Sequence, residues 1–170
     1  MRGIVLSLAI ALAVAGAGCG TEEPGTGTGG DSFLAFASSF DGFRDWTSFH
    51  SDGPVDDGTQ DPEALGARTL YINEVPPAGT TEFPVGTIIL EARETGALNI
   101  FAKVKRGGGY NRGGARDWEW FEIIEDPTTI VWRGLGPPNG ESYGGDPDAC
   151  NSCHTQCAGN DFVCSPTLHF

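Results

Sequence analysis

The sequence predicts a mainly β domain: an antiparallel sheet with one or two helices, ending in a cysteine-rich segment that carries the chemistry. Three observations predict it. Five short runs rich in β-branched and aromatic residues succeed one another between residues 68 and 133. Turn formers separate these runs, and four of the five cysteines lie beyond residue 149. At 170 residues, with 39% apolar and 10% aromatic content, the chain suits one domain with a substantial core.

The N-terminus reads as an address. Arg2 supplies a positive start, Ile4 to Val14 form a mostly apolar run too short to span a bilayer, and Gly16, Ala17 and Gly18 precede Cys19. This resembles a bacterial lipoprotein signal over residues 1–18, with Cys19 as the lipidated first residue of the mature chain. Ordinary signal-peptidase cleavage near the same point is the rival reading. Both export the protein. Residues 19–30, rich in Gly and Thr, read as a flexible tether that can bury no apolar area. Gly20 stands where an Asp usually retains such proteins in the inner membrane. The expected location is therefore the periplasm, lipid-anchored to the outer membrane or at the cell surface.

Residues 31–170 form the expected domain. Phe33, Phe36, Phe40 and Phe43 recur at separations of three and four, which predicts a helix from Asp31 to about Trp46 with an aromatic stripe on the core. Ser51 to Gly66 is acidic and full of turn formers, a surface loop without the ligand order of an EF-hand. Strands are expected at Arg68–Asn73, Gly86–Arg93, Ala97–Lys105, Asp117–Ile124 and Thr129–Arg133. In the third, Leu98, Ile100, Ala102 and Val104 alternate with Asn99, Phe101, Lys103 and Lys105, the pattern of a half-buried strand with its lysines in solvent. Glu94 to Gly96 makes a hairpin of the second and third strands. Gly107 to Gly114 reads as a longer mobile loop, without the context of a phosphate cradle.

A net charge of −13 counts against a nucleic-acid partner and against a polybasic membrane patch, since both need clustered Lys and Arg. The membrane contact expected is the lipid anchor alone.

Chemistry concentrates at Cys150-Asn151-Ser152-Cys153-His154, the C-x-x-C-H attachment signature of a c-type haem. Two thiols three residues apart can each add to a vinyl group on one porphyrin edge, and the adjacent imidazole becomes the axial ligand of the iron. Three rivals stay open. The even set Cys150, Cys153, Cys157 and Cys164 could form two disulfides in a haem-free, disulfide-stapled surface lipoprotein acting as a binding module. Cys150, Cys153, Cys157 and His154 could hold zinc. A thioredoxin-like redox pair lacks its βαβ context. If haem takes the first two thiols, Cys157 and Cys164 remain to pair with each other. The only methionine is Met1, so a mature chain cannot use the His/Met ligation of electron-transfer cytochromes c. Across the iron stand His50, His169, a Lys, a Tyr, water or nothing.

The order of motifs resembles the cytochrome P-460 family, including the cytochromes c′-beta. The resemblance runs over about residues 40 to 165. It rests on Trp46, Tyr71–Asn73, FPVGTII at Phe83–Ile89, KVKR at Lys103–Arg106, Gly109-Tyr110-Asn111, DWEWF at Asp117–Phe121, the C-x-x-C-H, and Asp161-Phe162-Val163. It implies an exported, largely β haem protein with an accessible distal face that binds nitric oxide or oxidises hydroxylamine. A periplasmic electron acceptor would then be a partner. Some members bond a Lys to the porphyrin edge, and Glu91 stands at the corresponding position here, leaving Lys103 and Lys105 as the chain's other lysine candidates. Cys157 and Cys164 are additions to the family pattern. Glu91 and Glu122 are the expected proton acceptors if the protein is an oxidoreductase.

Overall fold

A computed structural model describes residues 30–51, 67–93, 100–140 and 148–169. The expected signal sequence, Cys19, nearly all of the tether, most of the acidic loop after Ser51 and the connection after Arg93 lie outside the described residues.

Six strands make one antiparallel meander in chain order: β1 (Thr47–Ser51), β2 (Arg68–Ile72), β3 (Ile88–Arg93), β4 (Ile100–Lys105), β5 (Trp118–Ile124) and β6 (Thr129–Gly134). The mainly β antiparallel fold is the one the sequence predicts. The hairpin pairing is present as β3 against β4, with Leu90 opposite Ala102 and Glu91 opposite Phe101. β1 is an addition. Its sequence, TSFHS, is short and polar, and pairing with β2 from Thr47 opposite Ile72 to Ser51 opposite Arg68 makes it a strand.

Because side chains alternate across a sheet, each face has its own layer. One face, here the far face, presents Leu90, Ala102, Val104, Phe121 and Ile123 to the N-terminal segment, which contributes Ala35, Phe40 and Phe43. Phe40 meets Phe121 edge-on at 5.2 Å, and Phe43 meets Tyr71 in the same way at 5.2 Å. The near face presents Leu70, Ile72, Ile89, Trp118, Trp120 and Trp132 to Phe83, Ala115, Val163 and Leu168. The C-terminal cysteine segment belongs to this second layer.

Two expectations are corrected. The residues read as one helix from Asp31 to Trp46 form two short 3-10 turns, Ala37–Phe40 and Phe43–Asp45. Gly42 between them takes a positive φ of 67°, which ends the first turn and re-aims the chain. Phe40 and Phe43 therefore reach the core, whereas Phe36, extended, is 61% exposed. The Gly107–Gly114 segment is pinned rather than mobile. Asp117 accepts from the Gly109 amide at 2.8 Å, Asn111 is buried, and a Cβ on Gly107 would sit 2.3 Å from the Asp31 carbonyl.

Candidate functional site

The C-x-x-C-H lies on helix α1, Ala149–His154, which runs on into a 3-10 segment, Thr155–Asn160, kinked at Cys157. So short a helix cannot hold itself on propensity, and tertiary contacts must fix it. Asn151, one of the two middle residues of the motif, supplies them. Its Oδ1 accepts from Asn111 Nδ2 at 2.7 Å, from the Ala115 amide at 3.1 Å and from Trp120 Nε1 at 3.3 Å. A Cβ on Gly114 would fall 2.2 Å from Asn151 Cγ, so the loop approaches the helix as closely as only glycine allows.

After the 3-10 segment the chain reverses through Asp161 and Phe162, both at positive φ (47° and 65°). Cys157 and Cys164 close this turn as a disulfide. Asp161 anchors it to the sheet. The Lys105 ammonium donates to both carboxylate oxygens at 2.7 Å, the Phe83 amide donates to Oδ2 at 2.9 Å, and Trp118 Nε1 donates to the Asp161 carbonyl at 2.8 Å. A buried carboxylate so fully engaged fixes the position of the next residue in the chain.

That next residue is Phe162, and its carbonyl lies 2.8 Å from His154 Nδ1. A carbonyl can only accept, so Nδ1 carries the proton and Nε2 keeps its lone pair. No described residue bonds to Nε2. Burial pushes the His154 pKa down to about 3, and Lys103 and Arg68 nearby push in the same direction against the Phe162 bond. The ring is therefore neutral at physiological pH, and it packs against Trp120 with centroids 4.5 Å apart. Neutral imidazole with Nδ1 held by a carbonyl is the form that ligates iron through Nε2.

Cys150 and Cys153 are half-buried thiols outside the disulfide. Because Cys157 is bonded to Cys164, the zinc set that requires Cys157 is not assembled. Among the described residues no group of three or more His, Cys, Asp or Glu is placed to hold a metal ion. Two thiols outside the disulfide and one imidazole with a fixed tautomer on the same short helix fit what covalent haem attachment would require, two sulfurs to bond the porphyrin edge and one nitrogen donor.

The strands bring further polar groups to this face. Lys103, read from sequence as solvent-facing, is only 7% exposed, and Lys105 is equally enclosed. Lys103 lies directly across from Trp120, the ring against His154. Its burial pushes its pKa down to about 8, with Glu91 and Asp161 opposing and Arg68 assisting. Glu91 is half-buried, 3.7 Å from Arg68 Nη1. Glu122 is fully enclosed and accepts from Trp132 Nε1.

Other expected groups go elsewhere. His50 is exposed and points to the far face, where its Nδ1 lies 3.3 Å from Thr69 Oγ1; it does not face His154. Tyr71 also belongs to the far face and receives a hydrogen bond from Arg44, while Tyr110 lies under the Arg106 guanidinium. His169 is exposed.

Asn151 was missed by sequence reasoning, because the middle positions of the motif carry no compositional signal. Asp161 did carry one, its place in the Asp161-Phe162-Val163 run, without a role attached. No family model, curated protein or solved structure matches the chain.

Proposed function

We propose that the chain is an exported c-type haem protein of the cytochrome P-460 kind, with haem joined to Cys150 and Cys153 and His154 as axial base. Its ligands are small nitrogenous molecules, hydroxylamine or nitric oxide, and its partner in turnover is a periplasmic electron acceptor. Cys19 anchors it by lipid to the outer membrane. The observation that carries this reading is the His154 ring: neutral, fixed through Nδ1 by the Phe162 carbonyl, and on the same short helix as two thiols that stand outside the disulfide.

When bound, haem iron supplies a coordination position for nitrogen and a one-electron couple. The chain's own residues do the rest. Asp161, Lys105 and the Cys157–Cys164 bridge hold the Phe162 carbonyl in place, and that carbonyl sets the tautomer of His154. Asn151 fixes the helix that carries both thiols. Glu91, half-buried on the same sheet face and paired with Arg68 at 3.7 Å, is the more accessible of the two expected proton acceptors, since Glu122 is fully enclosed and accepts from Trp132.

Intact mass and an absorption spectrum of protein matured in haem-proficient cells test the reading. A haem adduct that Cys153→Ser reduces to one thioether is the expected result. A colourless protein with unmodified Cys150 and Cys153 would overturn it in favour of the disulfide-stapled binding module.

A further inference from the structure

The chain has two lysines, Lys103 and Lys105, on the same face of one strand, and the fold treats them differently. Lys105 donates to both oxygens of Asp161 at 2.7 Å and lies 5.2 Å from the Trp118 ring. Lys103 shares that ring at 5.8 Å and has no hydrogen bond or ion pair among the described residues. The two carboxylates near it are engaged, Asp161 by Lys105 and Glu91 by Arg68. A lysine only 7% exposed whose ammonium makes no hydrogen bond is unfavourable, because burial removes most of its water and the already engaged Glu91 and Asp161 compensate only in part. A fold that needed only packing here would have used an apolar residue.

Lys103 faces the candidate site. It is the cross-strand partner of Trp120, which packs on His154, and its charge together with that of Arg68 is felt at the imidazole. We infer that Lys103 is an anion-recognition residue of this site, whose ammonium meets a carboxylate or similar anionic group of the occupant. The inference deepens the haem reading and rests on it for the occupant's identity. Two sources share the chemistry: the propionate carboxylates of an attached haem, and a free small anion.

The test compares the wild-type chain with K103M and K103R. In haem-loaded protein, the resonance Raman band of the propionates is expected to shift in K103M and to stay in K103R. In the full chain produced without haem, formate is titrated against tryptophan fluorescence, which Trp118 makes sensitive to Lys103. If the free anion is the source, formate binding weakens about tenfold or more in K103M, the loss expected for one charge-assisted hydrogen bond. Haem-free K103M should melt at or above the wild type, because removing a buried ammonium that no hydrogen bond holds relieves the fold.

A K103M chain that melts below the wild type would assign Lys103 to packing and overturn the inference. So would unchanged propionate and formate responses together. Unmodified Cys150 and Cys153 in the wild type would remove the haem reading alone, and the formate titration would then decide Lys103.

Discussion

The two faces of the sheet are built from different materials. The far face is a layer of aliphatic and phenylalanine side chains closed by Phe40 and Phe43, and its buried acid Glu119 is matched by Arg133 at 2.8 Å and Arg106 at 3.2 Å. The near face carries three tryptophans, two lysines and Glu122 from the sheet, and meets His154, Asn151 and Asp161 from the C-terminal segment. Apolar contact is non-directional and tolerant, whereas each polar contact on the near face fixes an orientation. The far face holds the fold together; the near face aims an imidazole.

Loss of Asp161 should do the most damage to that contrast. Asp161→Ala leaves the Lys105 ammonium buried without its partner, which typically costs about 3–5 kcal/mol. It also releases the turn that presents the Phe162 carbonyl. The expected result is a lower melting temperature together with a changed ¹⁵N NMR signature of the His154 ring. Phe40→Ala, in the far layer, should cost a similar about 3–5 kcal/mol through the cavity it opens. The His154 signature should stay unchanged. If Phe40→Ala altered the ring as much as Asp161→Ala, the faces would not be separable.

The next effect is a pH dependence confined to the near face. Without a bound group, burial pushes the His154 pKa down to about 3, below the value of about 6.5 expected in an unfolded chain. Between those values the unfolded state binds the extra proton, so stability rises with pH through the window. The contribution is complete above about 6.5 and is lost as pH falls toward 3, with a slope of at most about 1.4 kcal/mol per pH unit. Denaturation midpoints measured across that window should fall less steeply for His154→Gln than for the wild type. Equal slopes would show that the imidazole is not the group responsible.

Much of this contrast was legible beforehand, and the exceptions are instructive. Runs such as IILEAR and WEWFEII announce strands through β-branched and aromatic content, and five of the six were readable. β1 was not, because TSFHS owes its conformation to β2. The phenylalanine spacing from Phe33 to Phe43 resembled a helix, but only Phe40 and Phe43, three residues apart across two tight turns, share the core, while Phe36 precedes the turns and faces outward. Lys103 and Lys105 occupy the polar phase of an alternating strand, and that phase normally faces water. Here a second layer covers it, which only the C-terminal segment's docking reveals. At the site, C-x-x-C-H named the thiols and the imidazole from spacing alone. The residues that orient them, Asn151 and Asp161, act through long-range hydrogen bonds that no local pattern encodes.

The smallest expected effect probes whether charge as such matters on the far side. Arg44 and Glu125 form a two-pronged pair at 2.8 and 2.9 Å, but their side chains are 45% and 43% exposed. Water already solvates both groups and salt screens their attraction, so Glu125→Gln should cost less than about 1 kcal/mol, a difference that shrinks further in high salt. Glu119 makes the same kind of contact with Arg133 yet is only 2% exposed, so Glu119→Gln should cost several-fold more and depend weakly on salt. Melting curves of both variants at low and high ionic strength measure the difference. If the two responded alike, burial would not be what separates a structural ion pair from a decorative one in this protein. The enclosed Lys103 ammonium on the near face would then cost the fold little, and it would need no anion to answer it.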